Sequence, residues 1–421
     1  MKKKQSEFLK SVMVLTSGTV IAQLVGYLFT PILTRIYTTE EMGDMGVYMR
    51  AIGFISVLAT ARYELSLPLP KRDEHAYVLY RISLRIATYM LLATALIGGI
   101  YLLVRPFSWF ECWFVLFTLL GSLFMLLINL GTNWAIRTKQ FNKISFSKVS
   151  NTLSSNVLRW LFGLMGWGSV GLIAATFLGF LFASLSFVLE IFRLDKLYER
   201  SSQQREMALA RKYKQFPLVS LPHAMIDLGK DLLVAALIVA FFSRDIFGSF
   251  NHSYTILRLP LMLIGASIGQ VFFNRCTEMV NLKQDIYPLL QRTMLILLGI
   301  SIVPFGIVFF AGEPLFAFVF GENWGESGYF SEIMAVWLMF NFVNSPVSSI
   351  PLILNRQREF FLLGLISALM QLAAFGLLPI FLGTSKSDFV LILWILSICQ
   401  AAYMLVVSLF TLHYARQGIT S

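Results

Sequence analysis

Five basic side chains lie inside stretches that are otherwise largely apolar: Arg50, Arg62, Arg159, Lys230 and Arg258. Cations in such surroundings suit the binding of an anion through charge-assisted hydrogen bonds, bidentate where the cation is arginine. A charged side chain at the centre of a bilayer costs about 2.5–3.5 kcal/mol on insertion scales, so each calls for a water-filled cavity, a partner or a substrate. Arg50, Arg62 and Arg258 lie close to the ends of their stretches, about 10 Å deep at a rise of about 1.5 Å per residue. A long arginine can snorkel that far, so interfacial and cavity roles both fit these three. Arg159 and Lys230 lie near the middle of theirs, where snorkelling is harder and a cavity role fits better.

Lys230 belongs to a stripe. His223, Asp227, Lys230 and Asp231 follow a three-or-four spacing that places them on one helix face. Two readings are open. Lys230 pairs with Asp227 or Asp231 and stabilises a bundle, or the stripe binds an anion and titrates or holds a coupling cation. Two acids flanking one base leave one acid without an intrahelical partner, which favours the second. Arg62 and Glu64, two residues apart on a helix, would point to different sides and not pair; Glu64 is then a further candidate for ion coupling.

The elements that carry these residues follow from composition. The chain has 421 residues, 57% hydrophobic and 14% charged, and a mean hydropathy of +0.71. A soluble domain is about 25% charged, so this is a membrane protein. About 20 apolar residues are needed for one crossing. Windows of that kind fall near 12–35, 45–68, 82–104, 113–135, 149–167, 170–192, 217–242, 251–273, 291–311, 331–354, 361–383 and 388–413. The first is too long for the apolar core of a cleavable signal and has no small-residue cleavage site. The expected fold is an all-α polytopic membrane protein of about twelve transmembrane helices.

Loop charge tests the count. Of the 34 Lys and Arg, five lie well inside the windows and only Arg35, Arg105, Arg244 and Lys386 fall in alternate loops or at their edges; the other 25 fall in the loops that would be cytoplasmic or, like Arg85 and Arg292, at the window ends beside them. A missed or extra helix would scramble this bias, which expects cytoplasmic N- and C-termini. It also accounts for most of the net charge of +11, with no need of nucleic acid. The loop at 312–330 holds Glu313, Glu322 and Glu326 and no base. A basic segment, 193–216, divides the chain into six-helix halves, 1–192 and 217–421. Residues 34–45 and 239–250 are weakly alike, with Tyr37 opposite Phe242, Glu40 opposite Asp245 and Gly43 opposite Gly248. Parallel repeats are a transporter signature, although turns that leave a span often carry an acid and a glycine.

Cys112, Cys276 and Cys399 are far apart, and the four histidines have no ligand spacing, so neither a disulfide nor a metal site is expected. There is no Walker-type loop, no Ser–His–Asp or paired-carboxylate arrangement and no large extramembrane domain. No enzyme activity and no cofactor are expected; secondary transport is. Prolines within the windows, among them Pro31, Pro222 and Pro260, suit hinges or plain architecture.

Several stretches, in order and spacing over essentially the whole chain, carry a resemblance. SGTVIAQLVGYLFTPILTRIYTTEEMG, from Ser17 to Gly43, resembles the opening of Wzx-type oligosaccharide flippases, with Pro31, Leu33, Arg35 and Gly43 at the family's marked positions. ATARYELSLPLP (59–70) is similar to the family's segment closing the second span, LRLPLMLIGASIGQVFF (257–273) to its eighth span, and FGENWGESG (320–328) to its acidic outer loop. These flippases form the polysaccharide-transport branch of the superfamily that also holds multidrug exporters and the lipid II flippase. The resemblance implies a V-shaped pair of six-helix bundles related by internal pseudo-symmetry. It implies a central cationic cavity and a substrate of oligosaccharide on a polyprenyl diphosphate, taken from O-antigen, capsule or exopolysaccharide assembly. Arg35, Arg50 and Arg258 fit arginines that the family places near its cavity, beside Arg159 and Lys230.

A bacterial inner-membrane protein is therefore expected, with membrane lipids and the lipid-linked oligosaccharide as partners. H+ or Na+ is a candidate coupling ion at Asp227, Asp231 or Glu64. A polysaccharide polymerase and a chain-length regulator are partners implied by the resemblance alone. Rival functions are a multidrug/cation antiporter, whose cavity should be acidic rather than basic, a lipid II flippase, and a non-transporting scaffold, against which buried charge argues.

Overall fold

In lipid, a segment must bond its own backbone N–H and C=O groups, which long apolar runs do by becoming helices. The computed structural model of the chain describes residues 2–104, 106–198, 202–261, 265–348, 350–354 and 356–417. Among these residues there is no β-strand. The helices are α1 Lys2–Thr34, α2 Thr39–Ala59, α3 Asp73–Val104, α4 Trp109–Arg137, α5 Phe141–Leu164, α6 Gly168–Leu197, α7 Gln203–Lys212, α8 Leu221–Phe241, α9 Arg244–Leu257, α10 Ala266–Asn281, α11 Tyr287–Phe320, α12 Gly325–Asn344, α13 Ile350–Ile353, α14 Gln357–Gly376, α15 Leu378–Leu382 and α16 Lys386–Gln417.

Each window expected to span is helical over much of its described length, and among the described residues eight segments are long and apolar enough to cross a membrane. They lie in α1, α2, α3, α4, α6, α11, α14 with α15, and α16. Large apolar side chains such as Leu92, Leu96, Ile97 and Leu103 on α3 stand exposed, as a helix facing lipid requires. α5 and α8 have spanning length, 24 and 21 residues, but carry polar groups. α5 buries Ser145, Ser147, Ser155 and Asn156, and α8 bears Asp227, Lys230 and Asp231. Such faces must meet protein or water.

Three expectations change. The second span stops at Ala59, because the chain turns left-handed at Ala61 (φ 47°) and Arg62 (φ 62°). The eighth is broken: α9 ends at Leu257 with Arg258 as its C-cap, just before Pro260, which has no N–H to continue the ladder. Most of the expected loop at 312–330 is helix, since α11 kinks at Ala311 and resumes with Pro314 in its next turn, where a missing N–H does no harm.

The ion pairs between helices respect the expected alternation. Arg137–Asp73 (2.7 Å), Arg205–Glu74 (2.8 Å), Arg85–Glu206 (2.8 Å) and Lys143–Glu190 (2.8 Å) each join segments assigned to one side of the membrane. Lys386–Glu326 (2.8 Å) joins two assigned to the other.

The chain packs as two compact units. Unit 1 comprises Met1–Tyr37 and Asp44–Leu232, built on α5 against α6 and α1, and α4 against α6. The helix α7, within the basic segment 193–216, buries Leu209 in a cluster with Tyr63, Tyr77 and Trp134. Unit 2 comprises Thr38–Gly43 and Leu233–Ser421, built on α11 against α12, and α12 against α16 and α9. Its interior holds Phe247, Phe330, Phe375 and Phe389, all fully buried. Two helices thus belong to both units: α2 divides after Gly43 and α8 after Leu232.

Candidate substrate-binding site

Arg159 projects from α5 where three helices of unit 1 converge. α6 approaches closely because Gly179 has no side chain: a Cβ there would lie 2.9 Å from Asn151 Oδ1 and 2.9 Å from Ser155 Cβ. The end of α1 approaches at Gly163, where a Cβ would lie 2.9 Å from the Tyr37 ring. The Tyr37 hydroxyl then donates to the Arg159 carbonyl at 2.6 Å. Packing of small residues is how helices come together in a membrane, and here it fixes the backbone that carries the cation.

The guanidinium is held by neutral oxygens. Nε and Nη2 both donate to Thr176 Oγ1, at 3.1 and 2.8 Å, and Nη1 donates to Asn156 Oδ1 at 3.3 Å. Thr176 turns its own proton to the Leu172 carbonyl at 2.7 Å, leaving its lone pairs to the arginine. Among the described residues no carboxylate stands within 4.0 Å of Arg159. Guanidinium has five N–H donors, and these contacts use three. Arg159 is therefore oriented, half-buried and electrostatically uncompensated by its near neighbours.

The stripe on α8 is arranged differently from the sequence expectation. Lys230 pairs with its chain neighbour Asp231 at 3.1 Å, and Asp227 lies 3.7 Å from His223 one turn earlier. Lys230 thus takes Asp231 as its partner, and Asp227 has only the longer contact with His223 on its own helix. Asp227 is 70% and Asp231 40% exposed, which places the stripe on a polar face. α8 meets α2 at Gly229, where a Cβ would touch Phe54 at 3.4 Å.

The other predicted cations have surroundings of their own. Arg50 on α2 curls back to donate to its own helix at Gly46 O, 3.2 Å away. Arg35 is exposed just beyond the end of α1. Arg258, in unit 2, lies over the Tyr254 ring with 4.9 Å between guanidinium carbon and ring centroid. It also caps the C-terminus of α9, where the helix dipole favours a cation.

Arg62 and Glu64 do pair, at 3.7 Å, with side chains 28% and 3% exposed. The expectation that they diverge assumed a helix; the left-handed turn at Ala61 and Arg62 folds one side chain towards the other. Left-handed backbone costs about 1–2 kcal/mol per non-glycine residue. The surroundings impose it: Tyr63 OH donates to Ala210 O (3.2 Å), Ser66 Oγ to Tyr63 O (2.6 Å), and Arg137 to Leu67 O (3.1 Å) and Pro70 O (2.6 Å). Burial pushes the Glu64 carboxyl above the usual range, with the Thr60 hydroxyl, its own backbone N–H and Arg62 opposing.

Sequence reasoning missed Asp44, which is buried and accepts from Ser169 Oγ at 2.7 Å. It sits one residue before the second window as drawn. Thr176 and Asn156 were missed as well; Asn156 could have been found three residues before Arg159. Among the described residues no group of three or more His, Cys, Asp or Glu is placed to hold a metal.

The fold is shared with transporters of known structure. An inward-facing multidrug resistance MATE family transporter of the MOP superfamily superposes with a TM-score of 0.70 at 13% identity, over 96% of this chain and 99% of that one. The lipid II flippase MurJ in an inward closed conformation gives 0.69 at 13%, over 96% and 90%. A MOP superfamily transporter from Pyrococcus furiosus, described as having a binding pocket of reverse polarity, gives 0.52 at 13%, over 97% and 96%. No curated protein matches the chain significantly in sequence. The shared fold and the eight apolar helices define a multi-pass membrane protein. Residues 32–328 match the family model described as polysaccharide biosynthesis protein, and the chain belongs to that family. Both findings bear out the resemblance to oligosaccharide flippases that the sequence motifs carry.

Proposed function

We propose that the protein flips an oligosaccharide repeat unit linked to undecaprenyl diphosphate from the cytoplasmic to the outer leaflet of a bacterial inner membrane, by alternating access. The glycan would serve O-antigen, capsule or exopolysaccharide assembly. The observation that carries the reading is Arg159, held among the described residues by neutral oxygens that use three of its five N–H donors. At an effective dielectric of about 20, a phosphate oxygen about 4 Å away would gain about 4 kcal/mol from such a cation. Arg35, Arg50, Lys230 and Arg258 would serve as further stations for the diphosphate. The family and the fold supply the rest: polysaccharide biosynthesis and a transporter architecture.

In this reading the halves 1–192 and 217–421 are six-helix repeats, joined by the basic segment 193–216, and both termini are cytoplasmic. A proton or sodium ion would couple the cycle through Glu64, Asp227 or Asp231. A polymerase and a chain-length regulator would take the product.

Deletion of the gene tests the proposal. The lipid-linked repeat unit should accumulate on the cytoplasmic side, and the intact gene should restore surface glycan. Unchanged surface glycan with raised sensitivity to cationic drugs would make the protein a drug exporter; accumulation of lipid II instead would make it a peptidoglycan-precursor flippase.

A further inference from the structure

α5 carries three cations, Lys143, Lys148 and Arg159, and their surroundings differ. Lys143 is neutralised: Glu190 of α6 accepts from its ammonium at 2.8 Å, as suits a cation that ties two helices together. Lys148 is not. Hydropathy leaves it in the loop before the fifth window, but the structure makes it the eighth residue of α5, about 10 Å from the helix start at a rise of about 1.5 Å per residue. Its side chain is exposed, and its ammonium donates to Thr19 Oγ1 of α1 at 3.0 Å. Among the described residues no carboxylate stands within 4.0 Å of it. A hydroxyl orients an ammonium without cancelling its charge, and this bond uses one of the three N–H donors.

Lys148 and Arg159 share a face of α5. Residues 148, 152, 155 and 159 are spaced four, three and four, which follows the helical repeat, and the two between the cations are the hydroxyl-bearing Thr152 and Ser155. Other helices cover that middle. α1 packs there at Gly26, where a Cβ would touch Thr152 Cγ2 at 3.7 Å, and α6 at Gly179, against Ser155. The two cations are therefore separate stations, about 17 Å apart along the helix. Their chemistry is graded. The ammonium is a strongly hydrated point charge suited to capturing a solvated anion, and the guanidinium a fork suited to gripping one that has shed its water.

We propose that Lys148 is the loading station for the substrate, its ammonium taking the diphosphate of an incoming lipid-linked glycan at the Lys143 end of α5 before Arg159 receives it. The place in transport rests on the flippase reading; the diphosphate site at Lys148 does not. Thr19 holds the ammonium in the empty site and gives it up to the phosphate oxygen.

Two measurements on the full-length protein test this. The first is calorimetric titration of detergent-purified protein with farnesyl diphosphate, a short polyprenyl diphosphate. Lys148→Met should raise the Kd about tenfold, as the loss of one charge-assisted hydrogen bond requires. Lys148→Gln should do the same, so the test survives the failure of either variant to fold. Lys148→Arg, which keeps a charged donor, should bind within about twofold of the wild type. Lys139→Met, which removes an exposed cation two residues before α5, controls for net charge and should leave the Kd unchanged. An unchanged Kd in the neutral Lys148 variants overturns the proposal. So does a loss in Thr19→Val as large as that in Lys148→Met, because the pair would then be a tie between α1 and α5 and not a binding group.

The second is flipping in vesicles at increasing amounts of polyprenyl-diphosphate oligosaccharide. Lys148→Met should act mainly on the half-saturating amount, raising it about tenfold, whereas Arg159→Gln should lower the maximal rate. A lowered maximal rate at unchanged half-saturation in Lys148→Met overturns the loading role while leaving the flippase standing. A wild type that binds farnesyl diphosphate but flips nothing removes the flippase reading, and the titration then decides whether Lys148 holds a diphosphate.

Discussion

Gly43 and Gly248, opposite one another when the halves of the sequence are aligned, are also opposite one another in space. A methyl group on Gly43 would fall on the Arg244 carbonyl oxygen and lie 3.2 Å from the Gly248 nitrogen. One on Gly248 would fall on the Thr39 carbonyl oxygen and lie 3.1 Å from the Gly43 nitrogen. The likeness extends to the caps. Thr38 accepts from the Glu41 N–H at 3.2 Å while Glu41 accepts from the Thr38 N–H at 2.8 Å, a capping box. At the aligned position Ser243 accepts from the Ile246 N–H at 3.1 Å. Thr39 also donates to Asp245 across the joint.

Alanine at either glycine should therefore force backbones apart. Gly43→Ala and Gly248→Ala are each expected to cost about 1–3 kcal/mol, the usual penalty of overpacking. Gly299→Ala, with nothing within 4 Å of the added Cβ, should be neutral or stabilising by up to about 1 kcal/mol. Thermal unfolding of the three variants in detergent checks the order.

Arg137 should matter for folding, not transport. Its side chain is 9% exposed and serves two backbone carbonyls together with Asp73, itself 65% exposed. Arg137→Ala leaves Leu67 and Pro70 carbonyls without that donor, at about 1–3 kcal/mol or more. Asp73→Asn removes an exposed partner and should cost under about 1 kcal/mol. Denaturation midpoints that rank Asp73→Asn as the more damaging would contradict this.

Lys143 and Glu190 join α5 to α6 with exposures of 22% and 16%, and the ammonium also lies 5.7 Å from the Phe187 ring centroid. A double-mutant cycle to alanine should give a coupling energy of about 1–3 kcal/mol. The same cycle on Arg275 and Glu278, each 57% exposed, should give less than about 0.5 kcal/mol.

Most of the fold is legible in the sequence because membrane helices announce themselves by length and apolarity, and Arg159 and Lys230 stand out against such a background. What escapes is whatever depends on irregular backbone. Glu64 pairs with Arg62 only because the helix ends at Ala59 and the next turn is left-handed, a conformation that Ala61 and Arg62 adopt under packing and not by propensity. The break after Leu257 hides inside an apolar run that hydropathy reads as continuous, although Pro260 marks it. Thr176 is silent too. Threonine is ordinary in a helix, and its meeting with Arg159 depends on the tight turn at Gly166 and Gly168, both at positive φ, which returns α6 alongside α5.

Arg159 separates charge from orientation. Arg159→Ala should abolish surface glycan at unchanged protein level. Thr176→Val keeps the cation but removes the acceptor of two of its hydrogen bonds. At about 1.5–3 kcal/mol for such bonds, export should fall by about tenfold or more. Quantitative staining of surface glycan, normalised to membrane protein, distinguishes the two; equal loss in both would mean that position alone matters.

The most direct test is flipping itself. Vesicles containing purified protein and a polyprenyl-diphosphate oligosaccharide are treated with a glycosidase that cannot cross the bilayer. With the wild type the whole glycan pool should become accessible, while Arg159→Ala and protein-free vesicles expose only the outer-leaflet share. A wild type no better than empty vesicles would contradict the flippase, and an Arg159→Ala variant equal to wild type would contradict the cation at its centre.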